Sequence, residues 1–274
     1  MKLLTTIFTL SAAVAAATAT AAQAPVAKGR GLVVSQGGRI YVDGTPLTRG
    51  SQPAWSPNGK RIAFVRDGQI FVVDADGQHE RRLTTRKPGL HWPGRFPAWS
   101  RDGKRIAFTG TRDLFTVRVA DRKLIPLTSS QHSWLGNFAP AYSPDGRTIA
   151  LSRSTDAFNS DIFLMSADGR NLRRLTKSQG SHDSLGEETM PTWSPSGRTI
   201  VFVSNRDGNF ELYAIGRDGR GERRISDTPY DEESPRFSRD GKRLLFTHDG
   251  RVATMSLDGT GVRELGLGSA ADWR

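Results

Sequence analysis

Five stretches of the chain repeat one another: PAWSPNGKRIAF at 53–64, PAWSRDGKRIAF at 97–108, PAYSPDGRTIAL at 140–151, PTWSPSGRTIVF at 191–202 and PRFSRDGKRLLF at 235–246. The aromatic residue at the third position recurs after 44, 43, 51 and 44 residues. A period of about 40 to 50 residues with strand-like contents is the signature of propeller blades. The repeat therefore predicts the fold.

Each repeat unit contains the signals of four strands. The segment 56–59 places proline and glycine at a tight turn between two strands. The apolar runs 62–65 and 70–73 are nearly continuous, which indicates strands buried on both faces. An Asp-Gly turn at 76–77 follows the third strand, and the RRLT segment at 81–84 predicts the fourth.

A sixth unit is divided between the two ends of the chain. Residues 271–274, which read ADWR, resemble the start of another first strand. Their aromatic residue, Trp273, follows Phe237 by 36 residues. Segments 32–35, 39–42 and 46–48 would supply its other three strands. The sequence thus predicts an all-β, six-bladed β-propeller of four-stranded antiparallel blades. Its last blade is closed by strands from both termini, which removes exposed sheet edges.

The N-terminus has the layout of a cleaved secretory signal. Lys2 precedes an apolar run at 3–14, and small-x-small triplets follow at 19–21 and 22–24. The alternative is a membrane anchor, but threonines interrupt a stretch that would need about 20 apolar residues. We therefore expect a signal peptide at 1–24, a short segment at 25–30 and the propeller at 31–274. The product would be periplasmic or secreted, with no membrane span after cleavage.

Composition limits the classes of partner and site. The chain has no cysteine, which excludes disulfides and thiolate metal sites. Its formal charge of +11 becomes +10 without Lys2 and favours anionic neighbours, although a solvated surface is the preferred explanation because many of the charges lie beside turns. Export argues against a nucleic-acid partner. We expect a monomer that needs no cofactor.

The repeat P-A-W-S-P-D-G-[KR]-x-I-A-F, together with SNRDGNFELY at 204–213, resembles the propeller repeat of the TolB family. The resemblance covers the propeller part only, at about 31–274, without the α/β domain that precedes the propeller in that family. It implies a six-bladed ring, an exported location and a protein partner at the mouth of the central channel. The repeated residues are turn and core positions, so the resemblance bears on the fold more than on the function.

The loops fall on two faces of the predicted ring. The turns after the first and third strands are short and uniform, so that face looks architectural. The connections at 86–96, 129–139, 177–190 and 227–234 vary and lie on the opposite, irregular face, where binding residues are expected. The candidate partner-binding residues on this face are His91, Trp92, His132, Trp134, His182, Glu188 and Glu233.

Each candidate has a plainer alternative. Histidines in successive loops could ligate a transition metal, but no motif with metal-ligand spacing is present, and we predict no metal site. The tryptophans could anchor a partner or cover blade edges. Glu188 and Glu233 could hold a cation or a basic side chain, or could pair with arginines of this chain. The arginine pairs on the fourth strands could bind anionic polymers or protect sheet edges.

These observations favour a non-catalytic binding or scaffold propeller of the cell envelope. It would bind a protein or glycan partner, which could be anionic, through the irregular face at the channel mouth. The alternative is a metal-assisted lyase or hydrolase at that mouth using His91, His132 or His182. No G-x-S-x-G, H-E-x-x-H or phosphate-binding glycine loop supports the alternative, and we predict that the protein is not an enzyme.

Overall fold

A computed structural model describes residues 25–85, 94–129, 136–156, 159–177 and 186–274. The described residues form strands and turns, with no helix among them. In particular, none of these ranges contains a helix with the length and apolar character needed to cross a bilayer. The prediction of an all-β protein is confirmed.

Twenty-four strands occur in the described ranges. The first twelve are β1 Leu32–Gln36, β2 Arg39–Val42, β3 Thr45–Arg49, β4 Ser51–Trp55, β5 Arg61–Arg66, β6 Gln69–Asp74, β7 Arg81–Arg82, β8 Arg95–Trp99, β9 Arg105–Thr109, β10 Leu114–Arg118, β11 Leu124–Pro126 and β12 Asn137–Tyr142. The others are β13 Thr148–Ser154, β14 Asn159–Ser166, β15 Arg173–Arg174, β16 Gly186–Trp193, β17 Thr199–Ser204, β18 Glu211–Gly216, β19 Arg223–Arg224, β20 Glu232–Phe237, β21 Arg243–His248, β22 Arg251–Ser256, β23 Arg263–Leu267 and β24 Ala270–Trp273.

These strands form antiparallel four-stranded units. Units 1 to 5 comprise β4–β7, β8–β11, β12–β15, β16–β19 and β20–β23, and units 3 and 4 are joined by a short parallel pairing of β14 with β16. The remaining sheet has the order β24-β1-β2-β3 and contains strands from both ends of the chain. Its register pairs Leu32 with Trp273 and Ser35 with Ala270. The predicted four-stranded antiparallel sheets are confirmed.

The first strand of each unit contacts the first strands of its neighbours. These contacts form a cycle, in which β4 contacts β8, β8 contacts β12, β12 contacts β16, β16 contacts β20, β20 contacts β24 and β24 contacts β4. In units 1 to 5 this strand has a bulge next to its proline, and one residue there has a positive φ. These residues are Gln52, Phe96, Ala139, Met190 and Ser234. The bulges bend the innermost strands, as such insertions do in sheets.

The core lies between the units. The second strands are buried almost throughout, with Phe64, Phe108, Phe202 and Phe246 fully enclosed. This burial on both faces explains why the apolar runs do not alternate with polar residues. The repeat tryptophans join neighbouring units through their indole N–H groups. Those of Trp99 and Trp193 donate to the carbonyls of Ala54 and Ala141 at 3.0 and 3.1 Å.

The arginine pairs also connect neighbouring units. Arg81, Arg173 and Arg223 lie on the outermost strands, and each donates from Nη2 to a backbone carbonyl just after the third strand of the next unit. The acceptors are Val119 at 2.7 Å, Arg217 at 2.8 Å and Leu257 at 3.1 Å. The first arginine of each pair is thus bound within the fold. Neither of the two roles expected for the arginine pairs from the sequence included this contact.

Candidate functional site

The connection between units 4 and 5 is described in full and forms one wall of a cleft on the irregular face. It runs through 227–231 between β19 and β20. The side-chain amide of Asn209 donates to the carbonyls of Thr228 and Tyr230 at 2.9 and 2.6 Å. The backbone N–H of Phe210 donates to Asp231 Oδ1 at 2.9 Å. The neighbouring β17–β18 hairpin therefore holds this loop in place.

Tyr230 is the aromatic side chain that this loop presents to solvent. It is 49% exposed, and its ring lies 5.4 Å from that of His248, which in turn stacks on Phe246 at 5.7 Å. His248 is buried, and its Nδ1 has no hydrogen-bond partner among the described residues. A tyrosine supported in this way offers a rigid apolar surface with a polar tip, which suits an interface.

The cleft beside Tyr230 has a volume of about 450 Å³ and an acidic lining. Asp231, Glu233 and Asp249 line it, and no lysine or arginine does so among the residues that the structure describes. Partial burial of the carboxyl group, together with the nearby charge of Asp231, raises the pKa of Glu233. Such a raised pKa indicates that the site would gain from a bound cationic group, because an opposite charge favours the ionised carboxylate.

Glu233 also lines a second cavity. This cavity has a volume of about 220 Å³, lies among the first strands and is lined by Glu233, Ser269, Met190 and Arg236 among others. Glu233 and Ser269 line both cavities, so the cleft and the second cavity meet at these two residues.

Glu188 has a different environment. It is fully buried, and its carboxylate accepts hydrogen bonds from the Thr176 hydroxyl and from Arg206. Burial raises the pKa of Glu188 to about 7, against the lowering effects of Thr176 and Arg206. The carboxylate thus contacts groups of this chain and is shielded from solvent.

The structural counterpart of Glu188 is Glu232, three residues before the next repeat proline. Glu232 is fully buried and accepts a hydrogen bond of 3.0 Å from Ser226 Oγ, which also bonds Glu211. Burial, followed by hydrogen bonding to Glu211, raises the pKa of Glu232 to about 8. Burial acts in the same direction on Glu211, but hydrogen bonds from Glu232 and Ser226 leave its pKa lowered. Of these two carboxyl groups, Glu232 is therefore the one that keeps its proton to higher pH.

Most of the other predicted site residues lie outside the described ranges. These are His91, Trp92, His132, Trp134 and His182. Their roles, and the competing metal hypothesis, stay predictions. Within the described residues no group of three or more potential metal ligands is present.

Three residues of the cleft were missed by the sequence reasoning. Tyr230 and Asp231 lie in a connection that was singled out for its irregular composition, but no repeat position marks them. Asp249 lies in the β21–β22 turn and has a positive φ. The useful signal was the aromatic residue in this short connection, because the connection has only a few residues to present to solvent.

The profile of the TolB beta propeller domain matches residues 97–272. The chain belongs to this family. The resemblance noted in the repeat is thereby confirmed. In its structure the chain is similar to TolB from Acinetobacter baumannii, with 22% identity, a TM-score of 0.69 and coverage of 89% of this chain and 68% of that one. At this identity the likeness concerns the fold alone.

Two curated relatives of this TolB propeller chain show how far the sequence likeness extends. The uncharacterized protein Atu1656 of Agrobacterium fabrum is 26% identical over 237 residues, which are 78% of this chain and 74% of that protein. The uncharacterized peptidase YuxL of Bacillus subtilis is 35% identical over 117 residues. That match covers 39% of this chain but only 16% of YuxL. The chain therefore corresponds to a small part of the peptidase.

Proposed function

We propose that this chain is a six-bladed propeller, closed by strands from both ends, that is exported and holds a partner on its irregular face. The six antiparallel units and the cyclic contacts of their first strands support the blade count and the closure. The signal-like residues 1–24 support export to the periplasm or beyond the cell. The mature propeller would then comprise 31–274 and act as a monomer.

The observation that carries the binding role is the position of Glu233. It joins an acidic cleft to the channel mouth, and the exposed ring of Tyr230 stands beside it. The described lining of this cleft holds carboxylates and no lysine or arginine, and with the supported aromatic ring beside them these carboxylates fit a lysine or arginine side chain with its apolar stem. The partner we propose is therefore an envelope protein with an exposed basic segment. The chain acts as a binding module and not as a catalyst.

A capture experiment on envelope extract tests this function. The mature protein is immobilised, partners are cross-linked and identified, and recovery is compared with the double variant Tyr230→Ala, Glu233→Gln. The matched control is Asp258→Asn, Val262→Ala, which changes an exposed acid and an exposed apolar residue of the same unit. We expect the cleft variant to lose a partner that the control retains.

Equal recovery by all three proteins would refute the cleft as the binding surface. The catalytic alternative makes a different prediction, because its histidines lie in other connections. Stoichiometric zinc, manganese or copper in the purified, dialysed protein, lost in the variant His91→Ala, His132→Ala, His182→Ala, would favour the alternative. Cell fractionation and the mass of the mature N-terminus test export separately.

A further inference from the structure

The axis of the fold contains three cavities that follow one another. A wide one of about 850 Å³ lies at the end that bears the uniform turns, and one of about 250 Å³ lies among the prolines and alanines of the first strands. The third, of about 220 Å³, reaches the irregular face. Arg236 lines all three cavities. The side chain of Arg236 thus borders every part of this series of cavities.

Arg236 departs from the repeat. The residue before the repeat aromatic is small in units 1 to 4, where it is Ala54, Ala98, Ala141 and Thr192. The guanidinium of Arg236 donates from Nη1 to the adjacent Pro235 carbonyl at 2.8 Å and forms no ion pair with a described carboxylate. An arginine of this kind retains donors for a ligand, since a guanidinium has five N–H groups.

Three more arginines surround the wide cavity. Arg30 and Arg239 are exposed at its rim and have no ion pair among the described residues. Arg274 lies over the Trp55 ring at 4.5 Å and donates to the Gly59 carbonyl. Four arginines therefore line the wide cavity.

The two acidic residues in this lining are engaged by backbone groups. Asp43 Oδ1 accepts from the N–H of Leu32 at 3.0 Å. The Asp272 oxygens accept from the N–H groups of Trp55 and Trp273 at 2.8 and 2.9 Å. Asp272 feels the charge of Arg236, but neither carboxylate forms an ion pair with Arg30 or Arg239. The charge of this mouth is opposite to that of the cleft at Glu233, and so a ligand here must differ from the partner there.

We infer that the wide mouth is a binding site for a small polyanion with two or more carboxylate or phosphate groups. One group would bind Arg236 inside the passage, and a second would bind Arg239 or Arg30 at the rim. Guanidinium groups match both oxyanions through paired N–H donors. The cavity volume lies in the range of small-molecule sites. The face expected to be architectural thus has a site of its own, independent of the partner cleft.

Calorimetric titration at low ionic strength tests the site with citrate, pyrophosphate and acetate. The variants are Arg236→Thr, which installs the residue found at the same repeat position in unit 4, and Arg239→Ser. The matched control is Arg101→Ser, because Arg101 occupies the same turn position in unit 2 as Arg239 does in unit 5. Thermal unfolding of each variant confirms that it is folded.

We expect one site per chain for citrate or pyrophosphate, and affinity at least about tenfold lower in Arg236→Thr and Arg239→Ser. Arg101→Ser should bind as the unmodified protein does. Binding of citrate alone would identify a carboxylate ligand, and binding of pyrophosphate alone a phosphate ligand. The absence of binding, affinity unchanged in Arg236→Thr, or equal losses in Arg101→Ser would each overturn the inference.

Discussion

The Oδ2 atom of Asp272 accepts a hydrogen bond of 2.8 Å from the backbone N–H of Trp55, 217 residues away in sequence. Oδ1 accepts from the N–H of Trp273 at 2.9 Å. One carboxylate therefore connects β24 to β4, the first strand of unit 1. Burial raises the pKa of Asp272, and Arg236 opposes that rise. Asp272 thus ties the last strand of the chain to the first strand of unit 1.

Replacing Asp272 should weaken the contact between β24 and β4, because one carboxylate accepts two backbone hydrogen bonds there. Asp272→Ala removes an acceptor from two backbone N–H groups and should lower the free energy of unfolding by about 2 to 3 kcal/mol. Urea unfolding followed by tryptophan fluorescence measures the change. Asp227→Ala is the control, because the Asp227 side chain is exposed and pairs only with Arg224 at the surface. Equal effects of the two variants would contradict the role of Asp272.

The raised pKa of Glu232 should make stability depend on pH. The folded pKa of Glu232, about 8, lies above the value of an unfolded glutamate, so the folded chain binds the proton more tightly. The contribution of Glu232 to stability is therefore complete below about pH 4 and is lost as the pH rises toward about 8. Glu188 acts in the same direction with its pKa of about 7.

The variant Glu232→Gln isolates this contribution. The stability of the variant relative to the unmodified protein should rise between pH 4 and pH 8, because the neutral amide cannot lose a proton. Melting temperatures across this range measure it, with Glu187→Gln as the control in an accessible position. The interpretation fails if the stability difference between Glu232→Gln and the unmodified protein does not change with pH.

Alanine substitutions at two glycines distinguish the energetic cost of a close contact from the cost of a positive φ. Gly169 has φ +89°, and a Cβ there would lie 2.3 Å from the Leu127 carbonyl oxygen of the neighbouring unit. Gly208 has φ +115° with no atom within 4 Å of such a Cβ. Gly169→Ala should destabilise the protein by about 1 to 3 kcal/mol more than Gly208→Ala. Similar unfolding midpoints would show that the units do not approach closely at Gly169.

The stabilising effect of the arginine contacts between units should depend on the shape of the guanidinium group and not on its charge. The triple variant Arg81→Lys, Arg173→Lys, Arg223→Lys keeps every charge but removes the planar fork that reaches the carbonyls. We expect a loss of about 1 to 3 kcal/mol in total, with little dependence on salt because the acceptors are neutral. Unfolding in urea at low and high salt measures both effects. A triple variant as stable as the unmodified protein would contradict this role.

The sheets could be predicted from the sequence because their determinants are local. Proline and glycine mark the turns, and the apolar runs of the second strands report burial on both faces, as in 62–65. A sheet containing strands from both termini was also expected, since the last residues resemble a first strand, but the register that pairs Leu32 with Trp273 was not. The bond from Trp55 to Asp272 was not, because an aspartate at a normally small position has no local explanation.

The candidate site was predicted less well, for reasons of register. Glu188 and Glu233 look alike in sequence, but they precede their prolines by three and two residues. That difference of one residue places the Glu188 carboxylate in the interior and that of Glu233 at the cleft. In a strand with alternating faces, one position decides between the two environments. Tyr230 has no repeat position to mark it, and its exposure follows from loop contacts with Asn209.

Hydrogen exchange of the mature protein, alone and with its captured envelope partner, tests the central claim most directly. We predict slower exchange at 227–234 and 248–251, which border the cleft beside Glu233, and unchanged exchange in the uniform turns at 57–60 and 240–243. Protection confined to those turns or to the outermost strands, with none at the cleft, would contradict the assignment of the irregular face as the binding surface.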